Sequence, residues 1–202
     1  MKRVLKTLVS IITILLVVGM PTSIVKASPP QELTVNPEAE EYVRAEILAD
    51  GEADLSKAFA GAQARTISAD LIARLWQDAD YQRIPFFKLY NANILGDLKA
   101  EGISIPFNVE LHDSTFIGGI NLANTDVKTF RIDDSTVMGP VKLGRMVVDG
   151  DLALYESTFA SGVTLFGANI IKNLFAFSSE FLSTEPVPNS AFPFELWTSE
   201  VG

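Results

Sequence analysis

Three acidic residues recur at nearly constant spacing in this chain, and they are the residues best placed to do chemistry. Asp113, Asp134 and Glu156 each precede a Ser-Thr pair, in the phrases His-Asp-Ser-Thr-Phe, Asp-Asp-Ser-Thr-Val and Tyr-Glu-Ser-Thr-Phe. If the phrases stack as strands, the three carboxylates form one outward column with about 4.8 Å between steps. A retaining glycosidase places two carboxyl groups about 5–5.5 Å apart, and stacked carboxylates can also attract a cation such as Ca²⁺.

A structural explanation of this column competes with both kinds of site. Asp and Ser are favoured at turns because their side chains form hydrogen bonds with the nearby backbone. Copies of one repeat are expected to use the same residue types at the same turn. We favour this explanation over a weak cation site, and we place a glycan active site last. The prediction is therefore no catalytic residue, no cofactor and no metal site, with Asp113, Asp134 and Glu156 kept as a weak cation candidate.

Other polar residues are weaker candidates for a functional site. His112 is the only histidine, so a histidine metal cluster is excluded. Adjacent residues on a strand point to opposite faces, so His112-Asp113-Ser114 cannot form a catalytic triad, and we expect a surface or corner histidine. Glu110 and Arg131 are predicted to form an exposed ion pair one repeat apart. Lys99 and Lys142 should share another outward column.

The phrases belong to a repeat that returns at a nearly constant interval. Its apolar anchors are Ile94, Phe116, Val137, Phe159 and Phe181, whose sequence numbers differ by 22, 21, 22 and 22. A constant period of this length indicates one small unit stacked on copies of itself. Further apolar columns keep the same register and alternate in steps of two, as in strands with one buried face.

These columns predict the fold. The chain should be mainly β, a right-handed parallel β-helix with four sides and about four coils, one repeat to each coil, preceded by an α-helical cap. The predicted inward residues include Phe116, Leu122, Val127, Ile132, Val137, Leu143, Val148, Leu154, Phe159 and Leu165. The predicted organisation is a signal peptide over 1–27, a linker over 28–36, the cap over 37–90, the β-helix over 91–181 and a tail over 182–202.

Small residues mark the corners. Gly96, Gly118 and Gly139 follow their anchors by two, where we expect a turn that uses positive φ. A small residue, a polar one and a large apolar one follow each other in Ala92-Asn93-Ile94 and Ala168-Asn169-Ile170. This order resembles the motif of pentapeptide-repeat proteins. The resemblance covers 91–181 and implies a right-handed, four-sided β-helix, although the steps here alternate between five and six residues.

Two helices are predicted in the cap. Asn36 before Pro37 is a helix start, with Val43, Ile47 and Leu48 as its apolar stripe and Gly51 as its end. Ser68 starts a second helix, whose apolar side comprises Leu71, Ile72, Leu75 and Trp76. Segments such as Arg65-Thr66-Ile67-Ser68-Ala69 resemble bacterial proteins labelled membrane-associated oxidoreductases. That resemblance implies that the cap and the repeats form one module. The sequence contains no glycine motif for a dinucleotide, no cysteine pair and no set of haem ligands.

The N-terminus and the charge predict where the protein works. Lys2, Arg3 and Lys6 precede an apolar run, and Val25-Lys26-Ala27 fits a cleavage site, as in a secretory signal peptide. Residues 8–25 would anchor the chain in a membrane if they are not cleaved. The remaining chain has 12 basic and 25 acidic residues, a formal charge of −13, so nucleic-acid binding is not expected. With no cysteine, disulfides are excluded.

The tail contains Pro186 and Pro188, which cannot continue a central strand, followed by an apolar cluster that includes Phe192, Phe194, Leu196 and Trp197. We expect the tail to fold back over the last coil; the rival interpretation is a free tail that docks on a partner.

The predicted function is a non-enzymatic β-helical module, periplasmic or extracellular, that binds an unknown protein or envelope component. The alternative is a small carbohydrate-active β-helix enzyme, a glycan hydrolase or lyase, that uses the stacked carboxylates. A flat column favours the first, and a cleft with convergent carboxylates favours the second.

Overall fold

Parallel strands wind into a β-solenoid of about four turns, and the strand pairings among the described residues are all parallel. The computed structural model describes residues 32–182, together with the short strands Phe194–Glu195 and Glu200–Val201. The predicted signal peptide, residues 28–31 of the predicted linker and the predicted tail beyond Leu182, apart from those two short strands, lie outside the described residues. The predicted fold class, a mainly β solenoid with an N-terminal helical region, is confirmed.

Each turn has four sides, which are numbered here in the order that the chain follows. The first side stacks Thr66–Ser68, Asn93–Leu95, Thr115–Phe116, Thr136–Val137, Thr158–Phe159 and Glu180–Phe181. The second side stacks Leu98–Lys99, Ile120–Asn121, Val141–Lys142, Val163–Thr164 and Phe194–Glu195.

The third and fourth sides share one sheet because two long strands, Ser104–His112 and Asp126–Asp133, run through both. The third side continues with Val147–Val148, Asn169–Ile170 and Glu200–Val201. The fourth side begins with Glu52–Asp54 and Phe86–Tyr90 and continues after the long strands with Leu152–Tyr155 and Leu174–Phe175.

The predicted inward residues fill the interior. All ten are at most 3% exposed, which confirms the register that the constant period indicated. Each coil packs its apolar ring on the next, so burial of these side chains is the main favourable contribution to folding.

The corners differ in part from the sequence expectation. Gly96 has a positive φ of 91°, but Gly118 and Gly139 do not have positive φ. At Gly118 an added Cβ would lie 2.4 Å from the carbonyl oxygen of Gly96. Glycine is needed there because two coils approach closely at this corner, and conformational freedom is the reason only at Gly96.

The N-terminal region begins as predicted. Helix α1 spans Pro37–Asp50, with the Asn36 side chain accepting from the Glu38 amide at 3.1 Å and Gly51 ending the helix at φ 74°. Helix α2 spans Leu55–Ala58 and α3 spans Ala69–Gln77, where Ser68 accepts from the Leu71 amide at 3.2 Å. Two short 3₁₀ helices cover Gln63–Arg65 and Tyr81–Arg83.

The helices pack on the first coil. The apolar side of α3 is buried as predicted, and the indole of Trp76 meets the ring of Phe87 edge-on at 5.9 Å. Phe87 in turn stacks with Phe107 at 6.4 Å. Leu48, predicted to belong to the buried stripe of α1, is wrongly assigned, because it is 50% exposed. No helix in the described part of the chain is long and apolar enough to cross a membrane.

Candidate functional site

The acidic column lies at the corner between the fourth and first sides. Asp113, Asp134 and Glu156 have φ values of 48°, 46° and 44°, in the left-handed region. Asn91 and Ser178, with φ 59° and 53°, occupy the same corner in the first and last coils. Asp and Asn tolerate this conformation better than most side chains. The left-handed backbone therefore accounts for Asn91, Asp113 and Asp134, while Glu156 and Ser178 are less usual choices.

A ladder of serines supports the same corner from inside. The amides of Ala92, Ser114 and Ser135 each donate to the side-chain oxygen of the serine one coil further on, at 3.2, 3.1 and 3.1 Å. The hydroxyls of Ser114 and Ser135 donate back to the carbonyl oxygens of His112 and Asp133, at 2.6 and 2.7 Å. The buried backbone at each corner is thereby hydrogen-bonded to the next coil.

The three carboxylates themselves lie at the rim of the corner, where Asp113, Asp134 and Glu156 are exposed. Within residues 32–182, none of them accepts a hydrogen bond or lies within 4.0 Å of a basic group. The described residues contain no group of three or more His, Asp or Glu side chains that could hold a metal ion. That Asp113, Asp134 and Glu156 form no catalytic or metal site, and are at most a weak cation candidate, stays a prediction.

A set of interacting polar and aromatic side chains lies beside this column, on the outer surface of the fourth side. We call this surface the fourth face. Two columns of residues compose it, in strand register from coil to coil: Lys88, Glu110, Arg131, Ala153 and Phe175, and Tyr90, His112, Asp133 and Tyr155.

His112 lies at the centre of the fourth face. Its Nε2 is 3.2 Å from Oε2 of Glu110, and its Nδ1 is 3.3 Å from Oδ2 of Asp133. Its ring stacks on that of Tyr90 with centroids 4.6 Å apart and planes 9° from parallel. With only 12% of its side chain exposed, His112 is more deeply packed than the surface or corner histidine expected from the sequence.

The predicted ion pair between Glu110 and Arg131 is wrong, although the two residues are in register. The carboxylate of Glu110 contacts Lys88 at 3.4 Å and His112, while the guanidinium of Arg131 contacts Asp133. Arg131 also lies over the ring of Tyr155, 4.9 Å from its centroid. Stacking on the aromatic ring orients the guanidinium toward Asp133, two residues along the same strand.

Burial also acts on the phenol of Tyr90. Its pKa is raised above the usual value by desolvation, and the carboxylates of Glu52 and Glu110 raise it further. The phenol therefore stays protonated and neutral at neutral pH.

The fourth face ends in aromatic side chains. Tyr155 stacks on Phe175 with ring centroids 5.8 Å apart. Phe175 is 38% exposed and Phe177, which follows Tyr155 by one coil, is 68% exposed. No earlier coil places a phenylalanine at either of these two positions, so the apolar end is specific to the last coil.

Two shallow depressions lie on other sides. One of about 120 Å³ on the second side is lined by Lys99, Asn121 and Lys142, in the predicted shared column, and by Gly119. Asp97 lies 3.8 Å from Lys99, so the local charge is mixed. The other, on the third side, is lined by residues that include Ser104, Asp126 and Lys128. Neither depression is lined by the corner carboxylates.

In the sequence, His112, Asp133 and Tyr155 each stand directly before a residue of the acidic column, but the contacts that connect them were not predicted. A signal was present, because Tyr90, His112, Asp133 and Tyr155 all stand two residues before the small corner residue.

In comparisons with known proteins, no protein-family model, no curated protein and no solved structure matches this chain.

Proposed function

We propose that this protein is a non-enzymatic β-solenoid module, exported from the cytoplasm, that binds a protein or another component of the cell envelope through its fourth face. The observation that carries the proposal is the set of contacts that connects the side chains of this face. The face is a single surface in which ion pairs and ring stacks hold Lys88, Glu110, His112, Arg131 and Asp133 to one another.

Such a face suits recognition of a partner. Tyr and Arg are enriched among the residues that contribute most to binding at interfaces, and prior ordering reduces the entropic cost of association. Here Tyr90 and Tyr155 are already stacked on His112 and Phe175. Phe175 and Phe177 add an exposed apolar edge, so the partner should present an apolar segment at that end.

Charge gives the second property of the partner. The exposed carboxylates of Asp113, Asp134 and Glu156 border the fourth face over three successive coils. The chain without residues 1–27 carries a formal charge of −13. A partner with basic groups beside its apolar segment would approach faster and in a preferred orientation. The same charge disfavours nucleic acids.

Export is part of the proposal and rests on residues 1–27. A basic start, an apolar core and small residues before the cleavage point support removal after Ala27. Mass spectrometry of the purified protein should find a chain that begins at Ser28. An intact N-terminus would instead indicate a membrane-anchored form held by residues 8–25.

A relationship to pentapeptide-repeat proteins is also a proposal. In its support, Ala92-Asn93-Ile94 and Ala168-Asn169-Ile170 each place a buried small residue and a buried apolar residue around an outward asparagine. The resemblance to that family also implies that the β-helix is right-handed, and this handedness stays a prediction.

The binding test compares apolar residues on and off the fourth face. The chain from Ser28 onward is immobilised, and proteins are captured from envelope extract with the unchanged chain, with Phe175→Ser/Phe177→Ser, and with Phe166→Ser. Phe166 is a matched control because it is 50% exposed at another corner. A partner retained by the unchanged chain and by Phe166→Ser, but lost from the double variant, is the expected result. Equal capture by all three chains would contradict the proposed face.

The enzyme alternative has its own readout. Hydrolysis or elimination of an acidic glycan by the unchanged chain, lost in Asp134→Asn, would replace the proposed function with a carbohydrate-active one.

A further inference from the structure

The outer surface of the first side carries no charged residue over three successive coils. We call this surface the first face, and it is composed of Thr115, Ile117, Thr136, Met138, Thr158 and Ala160. The threonines stack in strand register from coil to coil. In the next column, the amides of Met138 and Ala160 donate to carbonyl oxygens one coil earlier, at 3.0 and 2.9 Å. The sheet therefore continues through both columns of the first face.

The side chains of the first face are partly apolar and stiff. Met138 is 51% exposed in the middle coil, and Ile117 and Ala160, one coil before and after it, are partly exposed. Threonine and isoleucine are branched at Cβ and have few χ1 rotamers to lose. Contact with another surface would therefore cost little side-chain entropy on this face.

Opposite charges border the first face in its middle coil. Asp134 lies at the corner between the fourth and first sides, and Lys142 lies on the second side, beyond the opposite corner. Both are exposed, and Asp113 and Glu156 extend the acidic edge to the neighbouring coils. Within residues 32–182, no basic group lies within 4.0 Å of Asp134 and no carboxylate lies within 4.0 Å of Lys142.

We propose that the first face is a self-association surface, on which a second copy of this chain docks about a two-fold axis parallel to the solenoid axis. That rotation exchanges the two edges of the face and keeps each coil at its own height. Asp134 of one copy then faces Lys142 of the other, and the same contact occurs a second time with the copies reversed. The uncharged surfaces meet between these two ion pairs.

Charge selects both the occupant and the axis. The chain without residues 1–27 carries a formal charge of −13, so two copies repel each other on average, and an uncharged surface with a charge of each sign at its edges offsets this repulsion. A two-fold axis along the strands would instead bring the acidic column of one copy onto that of the other, where like charges repel.

The size of the first face sets the strength of the dimer. Three strands about 4.8 Å apart form a smaller area than the roughly 800 Å² per partner of a standard interface. The dimer should therefore be weak and depend on protein concentration. This inference is independent of the proposed function, which uses the fourth face.

Sedimentation equilibrium over a wide range of protein concentrations tests the proposal. The chain from Ser28 onward should pass from monomer to dimer as the concentration rises. Lys142→Glu should weaken the dimer at least about tenfold, because like charges then meet at both edges. Lys172→Glu makes the same charge change at an exposed residue of another surface and should leave the dissociation constant unchanged. A monomer at every concentration, or equal dissociation constants for the two variants, would overturn the proposal.

Exchanging the two charges tests the axis. Asp134→Lys alone should weaken the dimer as Lys142→Glu does, and the double variant Asp134→Lys/Lys142→Glu should restore it, because each ion pair is formed again with its signs reversed. A double variant that is folded by circular dichroism and stays monomeric would contradict the two-fold arrangement.

The apolar contact has its own pair of variants, which serves if Asp134→Lys does not fold. Met138→Ser should weaken the dimer, whereas Phe166→Ser should not, because Phe166 is similarly exposed, at 50%, but lies at another corner. Phe175→Ser/Phe177→Ser, on the fourth face, should also leave the dimer intact. A dimer lost in that double variant and kept in Met138→Ser would overturn the proposal and assign self-association to the fourth face.

Discussion

The backbone amide of Ser114 donates a 3.1 Å hydrogen bond to the side-chain oxygen of Ser135, one coil further on. The Ser135 hydroxyl donates in turn to the carbonyl oxygen of Asp133 at 2.7 Å. Each corner serine thus satisfies backbone groups of two coils, which explains why a small hydroxyl residue recurs at this position.

Replacing Ser135 tests the corner. Ser135→Ala leaves the buried Ser114 amide without its acceptor, which should lower the free energy of unfolding by about 1–3 kcal/mol. Ser135→Lys should prevent folding, because it places an unpaired charge in the stacked interior. Urea unfolding of the alanine variant measures the first effect, and soluble yield measures the second. Thr136→Ala, at the adjacent outward position, is the control. Normal expression and an unchanged melting temperature for Ser135→Lys would refute the register.

Gly118→Ala tests the close approach of two coils. The added Cβ would lie 2.4 Å from the carbonyl oxygen of Gly96, a backbone atom that cannot move without shifting the coil. Overpacking of this kind costs about 1–3 kcal/mol or more, so thermal melting should show a clear loss. Gly102→Asn is the control, because Gly102 has open space and φ 71° while Asn124 occupies the same corner at φ 58°. A Gly118→Ala variant as stable as the unchanged chain would contradict this packing.

Asp54 links the N-terminal region to the first corner and should make stability depend on pH. Its side chain accepts from the Ser56 amide at 3.0 Å and from the Asn91 side chain at 3.0 Å. Burial alone would raise the pKa of Asp54, but the hydrogen bonds from Ser56 and Asn91 outweigh it, and the pKa is lowered.

A carboxyl whose pKa is lower in the folded state stabilises the protein fully above its unfolded-state pKa, about 3.9, and this contribution is lost as the pH falls through the folded-state value. Asp54→Asn should therefore lower the melting temperature at pH 7, and the difference from the unchanged chain should shrink below about pH 4. Melting curves between pH 7 and pH 3 check this. A difference that stays constant down to pH 3 would show that the charge of Asp54 is not the cause.

The repeat made the interior predictable from sequence. Once Phe116, Val137 and Phe159 fix the period, alternation in steps of two assigns every inward column, and each copy confirms the others. The strands Glu52–Asp54, Thr66–Ser68 and Phe86–Tyr90 extend these sheets within the segment expected to be helical. Phe87 and Leu89 continue the inward columns of Val109 and Leu111 at the repeat interval, so that strand could have been predicted. The residues around Glu52–Asp54 and Thr66–Ser68 do not follow that interval.

Contacts on the outer surface were harder to predict. Arg131 has one carboxylate a coil away at Glu110 and another two residues along its strand at Asp133, and spacing alone does not choose between them. The ring of Tyr155 decides the geometry. Likewise, the sequence places a glycine at position 118 but does not tell whether φ or close packing requires it.

The most direct test of this account concerns the acidic column, which we interpret as a left-handed corner and not as a catalytic or metal site. The variant Asp113→Asn/Asp134→Asn/Glu156→Asn replaces all three carboxylates by the residue that position 91 already carries in the same conformation. Thermal melting of this variant and of the unchanged chain is measured with and without millimolar calcium. The account predicts that the variant is at least as stable as the unchanged chain and that calcium shifts neither melting temperature. If calcium raises the melting temperature of the unchanged chain by several degrees and the variant loses that rise, the column is a cation site and the account is contradicted.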